Sequence, residues 1–259
     1  MIVHFLGTSS ASVTHDRDNT SLLVTSGPDL LLFDCGGNAA GKILLLGYNP
    51  NDLKAVFLTH LHIDHCYGLP ALLFHMFLQK RSTDLDMFCP EEEIDLLEKQ
   101  LQSHGIDNDV RTYAIRKHPV PIDATHPIYN GSHLSVHSGV AFHSRPTRAY
   151  KVVEPRFGTS MVFTGDTSPL TDLAAFAENT DLLIHESTYL ETQADLAAEY
   201  GHSTAGQAAR IAAKANAKAL ALVHFEFPPD SSVDDYREEA ARYFNGPIYT
   251  PYDLSHITI

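Results

Sequence analysis

Tryptophan is absent from the 259 residues, and only three cysteines occur, Cys35, Cys66 and Cys89. An odd count without C-x-x-C spacing excludes a self-contained disulfide framework and a cysteine-built structural zinc site or redox pair. The thiols are expected to stay reduced, as in a cytoplasmic protein. Cations are also scarce: 18 Lys and Arg stand against 32 Asp and Glu, for a net charge of −14. That balance disfavours a broad surface for nucleic acid, which needs clustered cations to neutralise phosphates, and leaves room only for a local basic groove. No apolar run approaches the roughly 18 residues of a membrane span. The opening MIVHFLGTSS lacks the cationic start and long apolar stretch of a signal peptide. The expectation is a cytoplasmic chain with no membrane partner. With 44% hydrophobic and 19% charged residues, the composition is that of a globular protein, read as one domain over 1–259 with a substantial core.

Histidine, by contrast, is plentiful, at 16 residues. It is the commonest metal ligand and the usual acid or base near neutral pH, so its placement matters most. Segments 1–6, 21–25 and 30–33 read as strands, the last two joined at Gly27-Pro28-Asp29 into a hairpin. Segment 39–46 reads as a helix closed by Gly47, 54–59 as a buried strand, 69–78 as a buried helix and 91–103 as an acidic helix. Further on, 134–145 reads as a strand and 150–153 with 160–163 as a hairpin. Helices follow at 171–178, 203–216 (with Ser203 or Thr204 as N-cap) and 234–244. Strands are expected at 181–185 and 219–224, with tail strands in 247–259. Hairpins early and strand–helix alternation later imply two mixed sheets packed face to face and flanked by helices.

The strongest signal is His60-x-His62-x-Asp64-His65, placed between the strand at 54–59 and the helix at 69–78. His60 and His62 alternate and reach the same side, while Asp64 and His65, at a helix start, aim at a second position nearby. One short segment can therefore feed two adjacent metals. Nitrogen and carboxylate donors without thiolate suit zinc, with manganese or iron as alternatives.

Strand–Thr59-His60-Leu61-His62-Ile63-Asp64-His65–helix resembles the signature of the metallo-β-lactamase superfamily. Phe33-Asp34-Cys35-Gly36 precedes it, and Thr164-Gly165-Asp166-Thr167 and Val223-His224-Phe225 follow, in the order of that family and over nearly the whole chain. The resemblance implies a four-layer αββα sandwich with two metals, taken as Zn2+, at one edge of its sheets. It implies that His60, His62 and a later histidine hold one metal, that Asp64, His65 and His224 hold the other, and that Asp166 bridges them. The later histidine is taken as His143, because the segment from His143 to Tyr150 is similar to one in the ribonuclease Z branch. His133 and His137, on or beside the same strand, are its rivals. Asp34 is expected to accept from the N–H of a ligating histidine.

The tail narrows the branch. Ile184-His185-Glu186-Ser187-Thr188-Tyr189 and Gly201-His202-Ser203-Thr204 look like tRNA 3′-processing endonucleases, in which the Glu and the His form a dyad near the leaving group. Carried over, His202 donates a proton, Glu186 orients it, and Asp64 both ligates a metal and holds the attacking hydroxide. His4, His15, His75, His104, His118, His126 and His256 match no motif position, and His185 lies on the face of its strand opposite Glu186.

Three departures argue against tRNA. Only 151–163 separates Tyr150 from Thr164, which leaves no room for the arm those enzymes insert there. Gly37-Asn38-Ala39-Ala40 follows Gly36 in place of Glu-Gly-Thr-Gln. Phe225-Glu226-Phe227-Pro228 follows His224 where the processing enzymes have Ser and Arg. The resulting expectation is a dinuclear phosphodiesterase using a metal-bridging hydroxide on a small phosphodiester or nucleotide, such as a cyclic nucleotide. The alternatives are tRNA 3′-end processing, or hydrolysis of a lactone, carboxylic ester or sulfate ester at the same centre. A di-iron oxygen-reducing relative is disfavoured, because that branch has Glu where His62 stands. A homodimer is implied by the resemblance alone.

Overall fold

The computed structural model describes residues 1–106, 112–122, 126–229 and 231–259. Strands β1 (Ile2–Gly7), β2 (Ser21–Ser26), β3 (Asp29–Phe33), β4 (Ala55–Phe57), β5 (Leu85–Pro90) and β6 (Ile115–Val120) build one sheet. Strands β7 (Tyr129–Asn130), β8 (Ser135–Phe142), β9 (Pro146–Glu154), β10 (Thr159–Phe163), β11 (Leu182–Glu186), β12 (Leu220–Val223) and β13 (Ile248–Tyr249) build the other, and β14 (His256–Thr258) returns to pair with β1. Each sheet is antiparallel where its strands are joined by hairpins and parallel where helices intervene. The hairpin-then-alternation pattern read from the sequence therefore occurs twice, once in each half of the chain.

Three apolar layers separate the four structural ones. Phe5, Leu22, Leu31, Phe33 and Phe57 from the first sheet meet Tyr150, Val152, Phe163, Ile184 and Val223 from the second. The outer face of the first sheet packs on α1 (Ala39–Leu45), α3 (Leu69–Leu78) and α4 (Ile94–Ser103). The outer face of the second packs on α5 (Thr171–Phe176), α7 (Ala205–Lys214) and α8 (Val233–Ala241). The short helices α2 (Ile63–Cys66) and α6 (Ala194–Tyr200) lie beside the site described below. Strand β4 shows why its sequence is apolar without alternation. Ala55 and Phe57 enter the layer between the sheets, whereas Val56 and Leu58 enter the helical side, so both faces are buried. Phe57 stacks between Phe33 and Phe88 at centroid distances of 4.8 and 4.7 Å, and Tyr150 meets it edge-on at 5.5 Å. The Tyr150 hydroxyl donates to the Leu58 carbonyl at 2.7 Å and ties the two sheets together just before His60.

Boundaries differ from the sequence reading where local chemistry intervenes. The segment 91–103 opens with a single 3-10 turn before α4 begins at Ile94. Strand β8 stops at Phe142, so His143 lies in the turn beyond it and not on the strand. Thr204 is the N-cap of α7, in a reciprocal capping box with Gln207, while Ser203 donates to the Thr167 carbonyl. Strands β9 and β10 are joined by the turn 155–158. Among the described residues, no helix is long and apolar enough to cross a membrane.

The loop after β3 fits closely against α2. A Cβ on Gly36 would lie 2.0 Å from the carbonyl oxygen of Asp64 and 2.7 Å from the Cβ of Asn19. Gly36→Ala must therefore push the loop away from the helix start that carries Asp64 and His65. The expected cost is about 2–3 kcal/mol, seen as a fall in Tm of roughly 5–10 °C by calorimetry.

Candidate metal centre

The site forms at the carboxyl ends of parallel strands from both sheets, where open α/β folds place their ligands. Strand β3 leads to Asp34, β4 to Thr59 and His60, β10 to Asp166 and β12 to His224, and β11 ends at Glu186. Asp34 and His224 both take left-handed backbone angles, φ 56° and 62°. For non-glycine residues such angles cost about 1–3 kcal/mol each, and a surrounding hydrogen-bond framework must hold them. It is present: Asp34 N donates to Phe57 O and His224 N to Thr8 O, each at 2.8 Å.

The side chains named from the sequence converge in two groups that share Asp166. In the first, His62 Nδ1 lies 3.0 Å from His60 Nε2 and 3.1 Å from His143 Nε2. Asp166 Oδ2 lies 3.7 and 3.9 Å from the same two Nε2 atoms. In the second, Asp64 Oδ2 is 3.4 Å from the Nε2 atoms of both His65 and His224, and Asp166 is 3.3 Å from each. Ligands about 2.0–2.1 Å from a tetrahedral zinc stand roughly 3.3–3.4 Å apart, so both groups have the dimensions of a zinc coordination sphere. His65 Nε2 and Asp166 Oδ1 are buried, face this cluster and have no hydrogen-bond partner among the described residues. The 3.3 Å approaches are too misaligned for hydrogen bonds. A nitrogen and an oxygen left without partners in a buried cluster are what a cation would satisfy, so the donor set fits two metal ions.

The far sides of His65, His60, His143 and His224 are tethered. His65 Nδ1 donates to Asp34 Oδ2 at 2.8 Å, as the sequence reading expected of Asp34. Thr59 Oγ1 donates to the same oxygen at 2.9 Å and accepts from His60 Nδ1 at 3.0 Å. His143 Nδ1 donates to the Gly201 carbonyl at 2.8 Å, and His224 Nδ1 to Thr188 Oγ1 at 2.9 Å. In His60, His143 and His224 the network places the proton on Nδ1 and leaves Nε2 as a lone pair facing the cluster. His65 differs: burial disfavours its cation, but Asp166 and Asp34 outweigh burial and raise its pKa well above the ordinary value, so a metal ion there must displace the proton on Nε2.

Charge states suit cation binding. Burial, with neighbouring imidazoles adding to it, pushes the pKa of His60 well down and that of His62 to about 4. Burial also lowers that of His143. All three therefore present neutral rings. Burial works against ionising Asp64 and Asp166, but the histidines around them prevail and hold both carboxyl groups below the usual range. Neutral imidazoles and ionised carboxylates are the forms that bind metal.

Beside the second group stands the expected dyad. Glu186 Oε1 accepts from His202 Nδ1 at 2.9 Å and from Thr167 N at 3.0 Å, and Oε2 accepts from Thr188 N at 3.1 Å and Thr188 Oγ1 at 2.7 Å. Four donors saturate this carboxylate, so although Glu186, His202 and His224 also cluster, Glu186 has no lone pair left for a cation. Burial disfavours the His202 cation, but Glu186 and then Asp166 outweigh it and raise the pKa to about 9. Gly201, at φ 75°, ends α6, and Thr204 caps α7, which fixes His202 in the short link between two helices.

Of the rivals to His143, His133 lies against Gly27 and Ser26, and His137 pairs across to Lys151, so neither reaches the cluster. His185 is buried and donates from Nδ1 to the Glu186 carbonyl. Thr59 and Thr188 were not singled out from the sequence. For Thr188 a signal existed, because it follows Glu186 by two residues and extended backbone puts such pairs on one side.

Residues 1–235 match the family described as anti-Pycsar protein Apyc1. The chain belongs to that family. Among relatives of this Apyc1-family protein, a ribonuclease Z of Nocardia farcinica is 30% identical, covering 98% of this chain and 96% of its own. That alignment runs over 295 positions, more than the 259 residues here, so the relative carries segments without counterpart in this chain. Human tRNase Z, short form, superposes with a TM-score of 0.83 at 25% identity over 100% of this chain and 99% of its own. The metallo-β-lactamase fold protein YhfI of Bacillus subtilis superposes at 0.84, with 24% identity over 99% and 98%. The fold is the four-layer metallo-β-lactamase sandwich in its ribonuclease Z-like form, and the protein is a metal-dependent hydrolase.

Proposed function

We propose that the protein is a dinuclear phosphodiesterase for small phosphodiesters, with a cyclic nucleotide as the preferred kind of substrate. The observation that carries this reading is the cavity over the two metal groups. It has a volume of about 370 Å³ and is lined by Asp64, Asp166, His202 and Glu226 among others, with neither Lys nor Arg among the described residues that line it. A pocket of this size suits a single small ligand, and the missing cations disfavour a chain of phosphates.

When bound, two dications in this cluster supply Lewis acidity towards the phosphate oxygens and a water acidified towards neutral pH. We assign His60, His62 and His143 to one ion, Asp64, His65 and His224 to the other, and Asp166 to both. Asp64, at the cavity wall, also orients the attacking water. His202, tethered through Nδ1, gives its proton to the leaving oxygen as the P–O bond breaks, and Glu186 keeps the imidazolium available.

The test is hydrolysis of bis(4-nitrophenyl) phosphate by the purified protein, with metal content read on the same sample. Turnover that a chelator abolishes and zinc or manganese restores is the expected result. Two bound metals without diester turnover would instead move lactones, carboxylic esters and sulfate esters forward. A second reading, RNA 3′-end cleavage, draws on the name of the Nocardia relative. The turn 155–158, where an arm would be inserted, and the net charge of −14 weigh against it. Cleavage of a precursor tRNA at a rate matching that of nucleotide esters would reverse this order.

A further inference from the structure

Resting on the phosphodiesterase reading, we infer that Glu226, braced by Ser10, is a specificity-determining residue. It accepts a hydrogen bond from a donor on the non-phosphate part of the substrate, and so selects nucleoside esters over simple aryl or alkyl diesters.

Phe225 is fully buried, and its ring stacks with that of Phe227 at 5.6 Å, with the Arg17 guanidinium 5.2 and 5.8 Å from the two ring centres. Between these anchors, Glu226 lines the cavity instead. Its backbone is pinned at both ends, N donating to Thr188 O at 3.1 Å and O accepting from the Tyr236 hydroxyl. Its Oε2 accepts from Ser10 Oγ at 2.5 Å, and among the described residues no donor is paired with Oε1. The carboxylate is thus positioned, half satisfied and open to the cavity.

A negative charge there opposes a phosphate, so it carries a cost in a phosphodiesterase unless it recognises something else. A carboxylate only accepts hydrogen bonds. Its partner must be a hydroxyl or amino group, which a ribose or an amino-bearing base provides and a nitrophenyl ring does not. Tyr189 and Tyr200 line the same cavity and offer flat faces of the kind on which bases stack.

The test compares kcat/KM for 3′,5′-cyclic AMP with that for bis(4-nitrophenyl) phosphate in the wild type, Glu226→Ala, Glu226→Gln and Ser10→Ala. The nucleotide-to-aryl ratio should fall about tenfold or more in Glu226→Ala, chiefly through KM, the range expected for a hydrogen bond to a charged group. It should fall less in Glu226→Gln, whose amide oxygen still accepts, and less again in Ser10→Ala, which leaves Glu226 in place but unbraced. An unchanged ratio in Glu226→Ala, or equal losses on both substrates, would overturn the inference. So would a wild type that cleaves the aryl diester but not the nucleotide, with the phosphodiesterase reading left standing. A wild type that cleaves neither overturns that reading itself.

Discussion

Asp166→Ala is expected to strip the protein of both metals, whereas His62→Ala costs it chiefly one. The geometry sets the difference. Among the described residues, His62 Nδ1 is paired with His60 and His143, at 3.0 and 3.1 Å. Asp166 presents Oδ2 to His60, His143 and His65 and Oδ1 to His224, with all four distances between 3.3 and 3.9 Å. Removing that carboxylate also removes the negative charge nearest to where two dications would repel one another. Both variants should lose at least about a thousandfold in kcat/KM, because the acidified water and the charge stabilisation disappear together. Metal content should read near zero per chain for Asp166→Ala and near one for His62→Ala. Stability follows by linkage: metal at a thousandfold excess over its Kd adds about 4 kcal/mol per site. Chelation should therefore lower the wild-type Tm by on the order of 10 °C, and Asp166→Ala should show almost no change with chelator. An Asp166→Ala protein that still holds two metals would remove Asp166 from both sites at once.

The sequence made the centre of this site legible because one short segment carries four of its residues at spacings set by local geometry. His60 and His62 alternate along extended chain, and Asp64 and His65 open a helix, so their directions follow from backbone periodicity alone. His143 was a different matter. It lies past the end of β8, where periodicity no longer points anywhere, and only the likeness of 143–150 to a known segment separated it from His133 and His137. Asp34 and His224 sit at strand ends in left-handed conformations, which no strand pattern anticipates. The turn at His224 also decides which way the following residues face, so Glu226 reads in the sequence only as a departure from a familiar motif. Thr59 and Thr188 escaped notice because a hydroxyl becomes informative only when both of its partners are known, and those partners lie as far apart as His224 and Glu186. The repeated hairpin-and-alternation architecture was half visible: the strands at 21–25, 30–33, 181–185 and 219–224 were read, but β6 and β7 were not, and the division of the strands between two sheets depends on pairing over long distances.

His202→Ala should keep both metals and lose turnover selectively, and this contrast is the sharpest test of the dyad. His202 belongs to neither metal group: its Nδ1 is committed to Glu186 at 2.9 Å and lies 4.0 Å from Asp166. A proton donor matters when the leaving group is a poor one. A departing alkoxide should slow by about 10²–10⁴-fold without it, whereas a nitrophenolate, stable as an anion, should leave at nearly the wild-type rate. The pH profile carries the same information. Burial opposes protonation, but Glu186 and Asp166 raise the His202 pKa to about 9, so the imidazolium is present at neutral pH and is lost as pH rises through that value. Cations in the adjacent groups repel it and move this loss towards lower pH. For alkoxide substrates, activity should therefore fall on an alkaline limb at or below about pH 9. Glu186→Gln, which removes the main stabiliser of the cation, should move that limb to lower pH, and His202→Ala should erase it. If His202→Ala loses metal as Asp166→Ala does, or slows both kinds of leaving group equally, His202 is not the proton donor and the dyad serves only to hold the site together.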